Sequence, residues 1–180
     1  MEIVKTPLEG LLLIKPKVFE DERGYFFESF NKKLFDEAGI PVNYLQDNQS
    51  LSGADVLRGL HFQAPPFAQA KLVRVIKGAV LDVAVDIRKS SPTYGKHFSI
   101  ELTEQNKWML YIPTGFAHGF KTLMKETIFF YKCSELYNKA SEGCILWNDS
   151  DLDINWDIKN PILSPKDKEG TPFNSFASPF

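Results

Sequence analysis

The chain has 180 residues and a mass of 20.5 kDa, enough for one domain spanning 1–180 with a real core. Apolar residues make up 43% and charged residues 24%, the balance of a folded globular protein rather than a disordered one. A net charge of -2 gives no general pull toward nucleic acid or membrane, and no run approaches the roughly eighteen apolar residues of a membrane span, so neither partner is expected.

The start, MEIVKTPLEG, lacks the apolar run of a leader peptide. Cys133 and Cys144 have no metal-type spacing and are too few for a disulfide framework. Free thiols in a reducing cytoplasm are the expectation. LLLIKPKVF (11–19) reads as strand, and DERG (21–24) as a solvated turn. NKKLFDEAGI (31–40) is the one clear helix, stopping at Gly39 with Pro41 just beyond. DVLRGLHF, KLVRVI, GAVLDVAVDI, HFSIEL, KWMLYI, HGFKTLM and TIFFYKC then follow as short β-rich runs bounded by Gly, Pro, Asn or charge. VLDVAVDI alternates as a strand with one buried face. From about 148 the chain turns rich in Asp, Asn and Pro with isolated apolar anchors, and reads as an irregular or short-helical wrap. The fold class is therefore mainly β, a sandwich, jelly roll or barrel with a few short helices.

Three histidines bear on chemistry: His61, His97 and His118. His97 begins a strand beside Lys96 and reads as surface. His118 lies in IPTGFAHGF, where Pro113 and Gly115 shape a turn; Pro-x-Gly-x-x-His resembles a cupin motif. A metal-binding cupin needs a second His where this chain has Gln63, so His61 and His118 lack a firm third ligand and no metal is expected. The other reading is proton transfer. An imidazole titrates near neutral pH and serves as a base when its second nitrogen is oriented, for which the Asp-rich tail offers carboxylates. Arg23, Arg58, Lys71 and Arg74 could supply positive charge, and Tyr131 and Tyr137 an acid and a stacking surface. On residue types alone each is equally a satisfied structural residue.

Taken as an ordered series, the segments resemble the dTDP-4-dehydrorhamnose 3,5-epimerase family. The series runs through VFEDERGYFFESFN (18–31), QDNQS (46–50), VLRGLHFQ (56–63), AKLVRVIKG (70–78), DVAVDIRKSSPTYG (82–95), IPTGFAHGF (112–120), YKCSELYNKASEG (131–143) and LSPKD (163–167). The resemblance implies a cupin-type double-stranded β-helix and a reaction without cofactor. The substrate is a dTDP-linked 4-keto-6-deoxyhexose whose C3 and C5 hydrogens are both α to the ketone. It implies His61 as the base, Asp167 as its orienting partner, Lys71 as the stabiliser of the enolate and Tyr131 as the acid on the other face. Arg58 and His118 would line the sugar and phosphate region. Arg23, Phe26 and Glu28, then Gln46, Asp47 and Asn48, and Tyr137, Glu142 and Lys166, match the nucleotide and substrate contacts. A homodimer is implied, with Arg23, Phe26 and Glu28 acting across it.

Three other functions stay open. A relative could invert only C3 or only C5, a cupin could bind sugar without catalysis, or it could depend on a metal. One geometric expectation concerns VLRGLHFQ. Arg58 and His61 are three residues apart, so a regular strand turns them to opposite faces. Gly59 between them is the candidate bulge that brings both to a cleft.

Overall fold

In a computed structural model of the chain, residues 1–40 and 42–180 are described; Pro41, expected just beyond the helix stop at Gly39, lies outside them. Six antiparallel strands form one sheet: β1 (Glu2–Lys5), β2 (Leu12–Lys15), β5 (Gln46–Ser52), β7 (Lys71–Lys77), β10 (Met109–Ile112) and β12 (Thr127–Cys133), in the spatial order β1-β2-β10-β7-β12-β5. Five form the other: β6 (Leu57–Gln63), β8 (Ala79–Asp86), β9 (His97–Thr103), β11 (Phe116–Thr122) and β13 (Glu142–Cys144), in the order β13-β6-β11-β8-β9. A hairpin of β3 (Phe19–Asp21) and β4 (Gly24–Phe26) stands apart, turning through the exposed Asp21–Gly24 segment.

The inner faces of the two sheets meet in a core that includes Leu13, Val73, Val75, Val80, Ala84, Leu110, Ile112, Phe116, Phe120 and Phe129. This is the jelly-roll sandwich of a cupin. Helix α1 (Lys32–Glu37) begins where the Asn31 side chain caps the Leu34 N–H. It ends at Gly39, whose φ of +75° suits a residue without Cβ. Phe35, fully buried, ties it to Ile14, Leu72 and Met109 on the outside of the larger sheet.

Strand β8 departs from the expected single buried face. Val80 and Ala84 enter the inner core, while Val83 and Val85 join a second cluster behind the smaller sheet. The wrap makes the difference. Leu152, Trp156, Leu163, Phe173, Phe176 and Phe180 cover that back face, and the Phe-rich end is docked. Phe62 meets Phe176 and Phe180 edge-on at 5.4 and 6.4 Å. His97 is half-buried rather than fully on the surface.

Strand β6 carries the expected bulge. His61 pairs with His118 and Arg58 with Phe120, so three steps on β6 face two on β11. Gly59, at φ +130°, makes this possible. A Cβ there would lie 2.5 Å from Gly119 Cα and 2.9 Å from the His118 carbonyl oxygen.

Candidate active site

Where the inner face of the sandwich is no longer filled by apolar side chains, it opens into a polar cleft. Two adjoining hollows of about 320 and 310 Å³ share Asn48, His61, Lys71, Tyr131 and Glu142. His61 projects from β6 on the smaller sheet. Lys71 and Tyr131 project from β7 and β12 on the larger one.

Asp167 arrives on the wrap, in the short helix α2 (Pro165–Lys168), and is 2% exposed. Its Oδ1 accepts from His61 Nε2–H at 2.6 Å and from the Gly59 N–H at 3.3 Å. Its Oδ2 accepts from the Ser164 hydroxyl at 2.6 Å. Burial alone would raise the Asp167 pKa, but these donors outweigh it and hold the carboxyl below its ordinary range. Burial pushes His61 below the ordinary imidazole value, with the Asp167 carboxylate opposing. Both directions favour a neutral imidazole beside a carboxylate. Nε2 then carries the proton, and Nδ1 is left as the free basic nitrogen.

Burial also lowers the Lys71 pKa, against the opposing pull of Cys133, Asp82 and Glu142. Its ammonium stands 5.8 Å from the Tyr131 ring centre. Burial raises the Tyr131 pKa, helped by Cys133 and Glu142 and opposed by Arg58, so the phenol keeps its proton. The cleft thus sets the His61 imidazole on one wall against the Lys71 amine and the Tyr131 phenol on the other.

Of the other expected residues, Arg58 is exposed on the cleft edge and donates to the Ser52 hydroxyl at 3.1 and 3.2 Å. His118 is buried at the cleft floor. Glu142 pairs with Lys166 at 2.5 Å and accepts from the Tyr137 hydroxyl at 3.2 Å. Gln46 and Asn48 face inward. Asp47 faces the other side of β5 and pairs with Lys132 at 2.9 Å, so one chain does not bring it to the cleft. Nor does it bring Arg23 and Phe26, which line a separate hollow at the β3–β4 hairpin, with Arg23 bound to Asp21 at 2.5 Å. Glu28 is exposed and accepts from the Asn31 side chain. Arg74 also points away, between Phe27 and Phe130.

Three features went unread in the sequence. Asp82, fully buried on β8, bonds His118 Nε2 at 3.0 Å, making a second His–Asp pair; an aspartate inside an apolar strand was the available signal. Ser164 holds Asp167. Gln63 bonds the carbonyls of Phe67 and Leu136 and the Asn138 N–H, and Gln46 accepts from the Tyr137 N–H. Together these two glutamines fix the segment carrying Tyr137, which no local pattern announces.

The comparisons with known proteins agree with this fold. The family model for dTDP-4-dehydrorhamnose 3,5-epimerase matches residues 5–175. A protein of that name from Shigella flexneri is 53% identical over 174 residues, covering 96% of both chains. The crystal structure of one from Elizabethkingia anophelis is 51% identical, covers 97% of both chains and superimposes with a TM-score of 0.93. A dTDP-6-deoxy-D-glucose-3,5-epimerase from Legionella pneumophila, solved with dTDP-4-keto-L-rhamnose, is 44% identical with a TM-score of 0.94 over 98% of this chain and 94% of that one. With the family model matching nearly the whole chain and relatives about half identical over almost their full length, the chain belongs to the dTDP-4-dehydrorhamnose 3,5-epimerase family.

Proposed function

We propose that the protein inverts C3 and C5 of dTDP-4-dehydro-6-deoxy-D-glucose, giving dTDP-4-dehydro-L-rhamnose by proton removal and return beside the 4-keto group. The observation that carries this reading is the placement of His61 and Tyr131 on facing sheets, with the sugar-sized cleft between them. Inversion needs a proton taken from one face and returned to the other, and two donors on one wall could not do both. His61 Nδ1 takes the proton, and Asp167 stabilises the imidazolium that forms. The Lys71 ammonium stabilises the enolate oxygen. Tyr131 gives a proton to the opposite face.

Arg58 and His118 bind the sugar and phosphate side, and Gln46, Asn48, Tyr137, Glu142 and Lys166 the nucleotide side. Arg23, Phe26 and Glu28 act from a second copy in a homodimer; their distance from the cleft within one chain and the exposed aromatics Phe19, Tyr25 and Phe26 support this. Two free cysteines fit a cytoplasmic location, and among the described residues no helix is long and apolar enough to cross a membrane.

NMR of product formed in deuterated buffer tests the function. Deuterium at both C3 and C5 with the L-sugar formed is the expected result. Exchange confined to one carbon would assign a single-centre epimerase, and no exchange at all a binding protein.

A further inference from the structure

One side chain beside the cleft, Cys144, has no role in the chemistry above, yet it completes a cluster with His61 and Asp167. Cys144 on β13 lies directly across from His61 on β6, so their side chains leave the same face of the sheet. Asp167 closes the group from the wrap. The imidazole nitrogen, the Cys144 Sγ and an Asp167 carboxylate oxygen all lie within 4.8 Å of one another. Nitrogen, sulfur and oxygen donors converge here from three separate segments, a ligand set that suits a borderline-soft divalent cation bound with one open position.

We propose that His61, Cys144 and Asp167 form a binding site for a thiophilic divalent cation of the zinc class, and that occupancy switches the base off. Bonds of about 2.0–2.3 Å set neighbouring ligand atoms roughly 3.5 Å apart. Nε2 and Oδ1, now 2.6 Å apart, spread by roughly 1 Å while Sγ closes in, a change within reach of side-chain rotation. Asp167 already has the outer support of a ligating carboxylate: the Ser164 hydroxyl holds Oδ2 and the Gly59 N–H holds Oδ1. The Asp167 side chain is 2% exposed and that of His61 27%, so the ion enters from the cleft and its open position, filled by water, faces it.

The consequence for the base is a change of tautomer. The ion takes the place of the Nε2 proton and of the thiol proton. A neutral imidazole bound through Nε2 carries its one proton on Nδ1, the nitrogen that must be free to accept from the substrate. The thiol proton leaves to solvent, and the Nε2 proton is replaced by one on Nδ1. This second step rests on His61 being the base; the site itself does not.

Cobalt(II) reports on a thiolate ligand by a charge-transfer band in the near ultraviolet. Added to chelator-treated, full-length protein, it is expected to give that band, saturating at one equivalent per chain and bleached by zinc. Cys144→Ala loses the band, and Cys133→Ala, changed at the other cysteine, keeps it. One equivalent of zinc lowers turnover by at least about tenfold, chelation restores it, and Cys144→Ala is active and indifferent to zinc. No band in the wild type, or a band that survives Cys144→Ala, overturns the site. A cobalt–thiolate band with turnover intact overturns the switching step and with it the assignment of His61 as base.

Discussion

Replacing Asp167 by Asn isolates the charge of the orienting group. The amide can keep every partner: its oxygen accepts from His61 Nε2–H and the Gly59 N–H, and its nitrogen donates to Ser164 Oγ. What is lost is the attraction between a carboxylate and the imidazolium formed when His61 takes the substrate proton. With Oδ1 and Nε2 at 2.6 Å, the charge centres lie about 4 Å apart, worth about 4 kcal/mol at an effective dielectric of about 20. The amide dipole recovers part of this, leaving about 3 kcal/mol, or roughly two orders of magnitude in kcat/KM. The acid limb of the pH profile moves as well. Asp167 raises the His61 pKa against burial, so the variant's imidazole titrates lower still and the limb shifts to lower pH. Stability gives a third readout. Because the folded Asp167 pKa is depressed, the wild type holds that stabilisation above the ordinary carboxylate value and loses it as pH falls through the folded one. The variant has no such loss. Solvent-deuterium incorporation followed across pH measures the first two effects and thermal unfolding the third. Wild-type turnover in the variant, or an acid limb that moves upward, would refute the reasoning.

Tyr131→Phe is expected to leave proton removal by His61 in place while inverted product falls by about 10²–10⁴-fold, read as deuterium incorporated with retention; unimpaired inversion would assign the acid elsewhere. Gly59→Ala puts a Cβ 2.5 Å from Gly119 Cα at φ +130° and is expected to cost more than about 3 kcal/mol. Gly24→Ala, at φ +120° with nothing within 4 Å, should cost only about 1 kcal/mol, and equal losses in unfolding midpoint would contradict the close-approach argument. Gln63→Leu removes the bonds that hold the segment of Tyr137 and is expected to raise KM roughly 5- to 10-fold, at about 1 kcal/mol net, with kcat little changed. A fall confined to kcat would place Gln63 with the reacting groups instead.

How much of this could be read from the residues depended on the range of the interaction. The strand runs from residue 56 to 133, the helix capped by Asn31 and the turn at Asp21–Gly24 follow from local pattern and turn chemistry, whereas the run 11–19 breaks into β2 and β3 and the polar strand β5 was not read. The bulge at Gly59 was legible because two polar residues three apart had to share a face. The family's motif series named His61 and Asp167, but their contact depends on how the wrap lies over the back of the smaller sheet. The burial of both β8 faces depends on the same covering, which alternation within one strand cannot register. Partners brought together across sheets, such as Asp82 with His118 or Cys144 with His61, carry no local signal beyond a polar residue in an apolar strand. Asp47 shows the converse: it shares a motif with Gln46 and Asn48, yet strand alternation turns it away from them.

His61 and the carboxylate that completes it are separated by 106 residues of chain. Every strand of both sheets is synthesised before Ser164 and Asp167 appear. The His61 imidazole therefore gains its carboxylate partner only when helix α2 docks on β6. A product halted upstream of Ser164 would lack the group that fixes Nε2–H, and with it Lys166 at the cleft and the Phe173, Phe176 and Phe180 cover of the smaller sheet. The pairing of His61 with its carboxylate and the covering of the sheet that carries it thus arrive together, and the late segment works as a completeness check written into the order of the sequence.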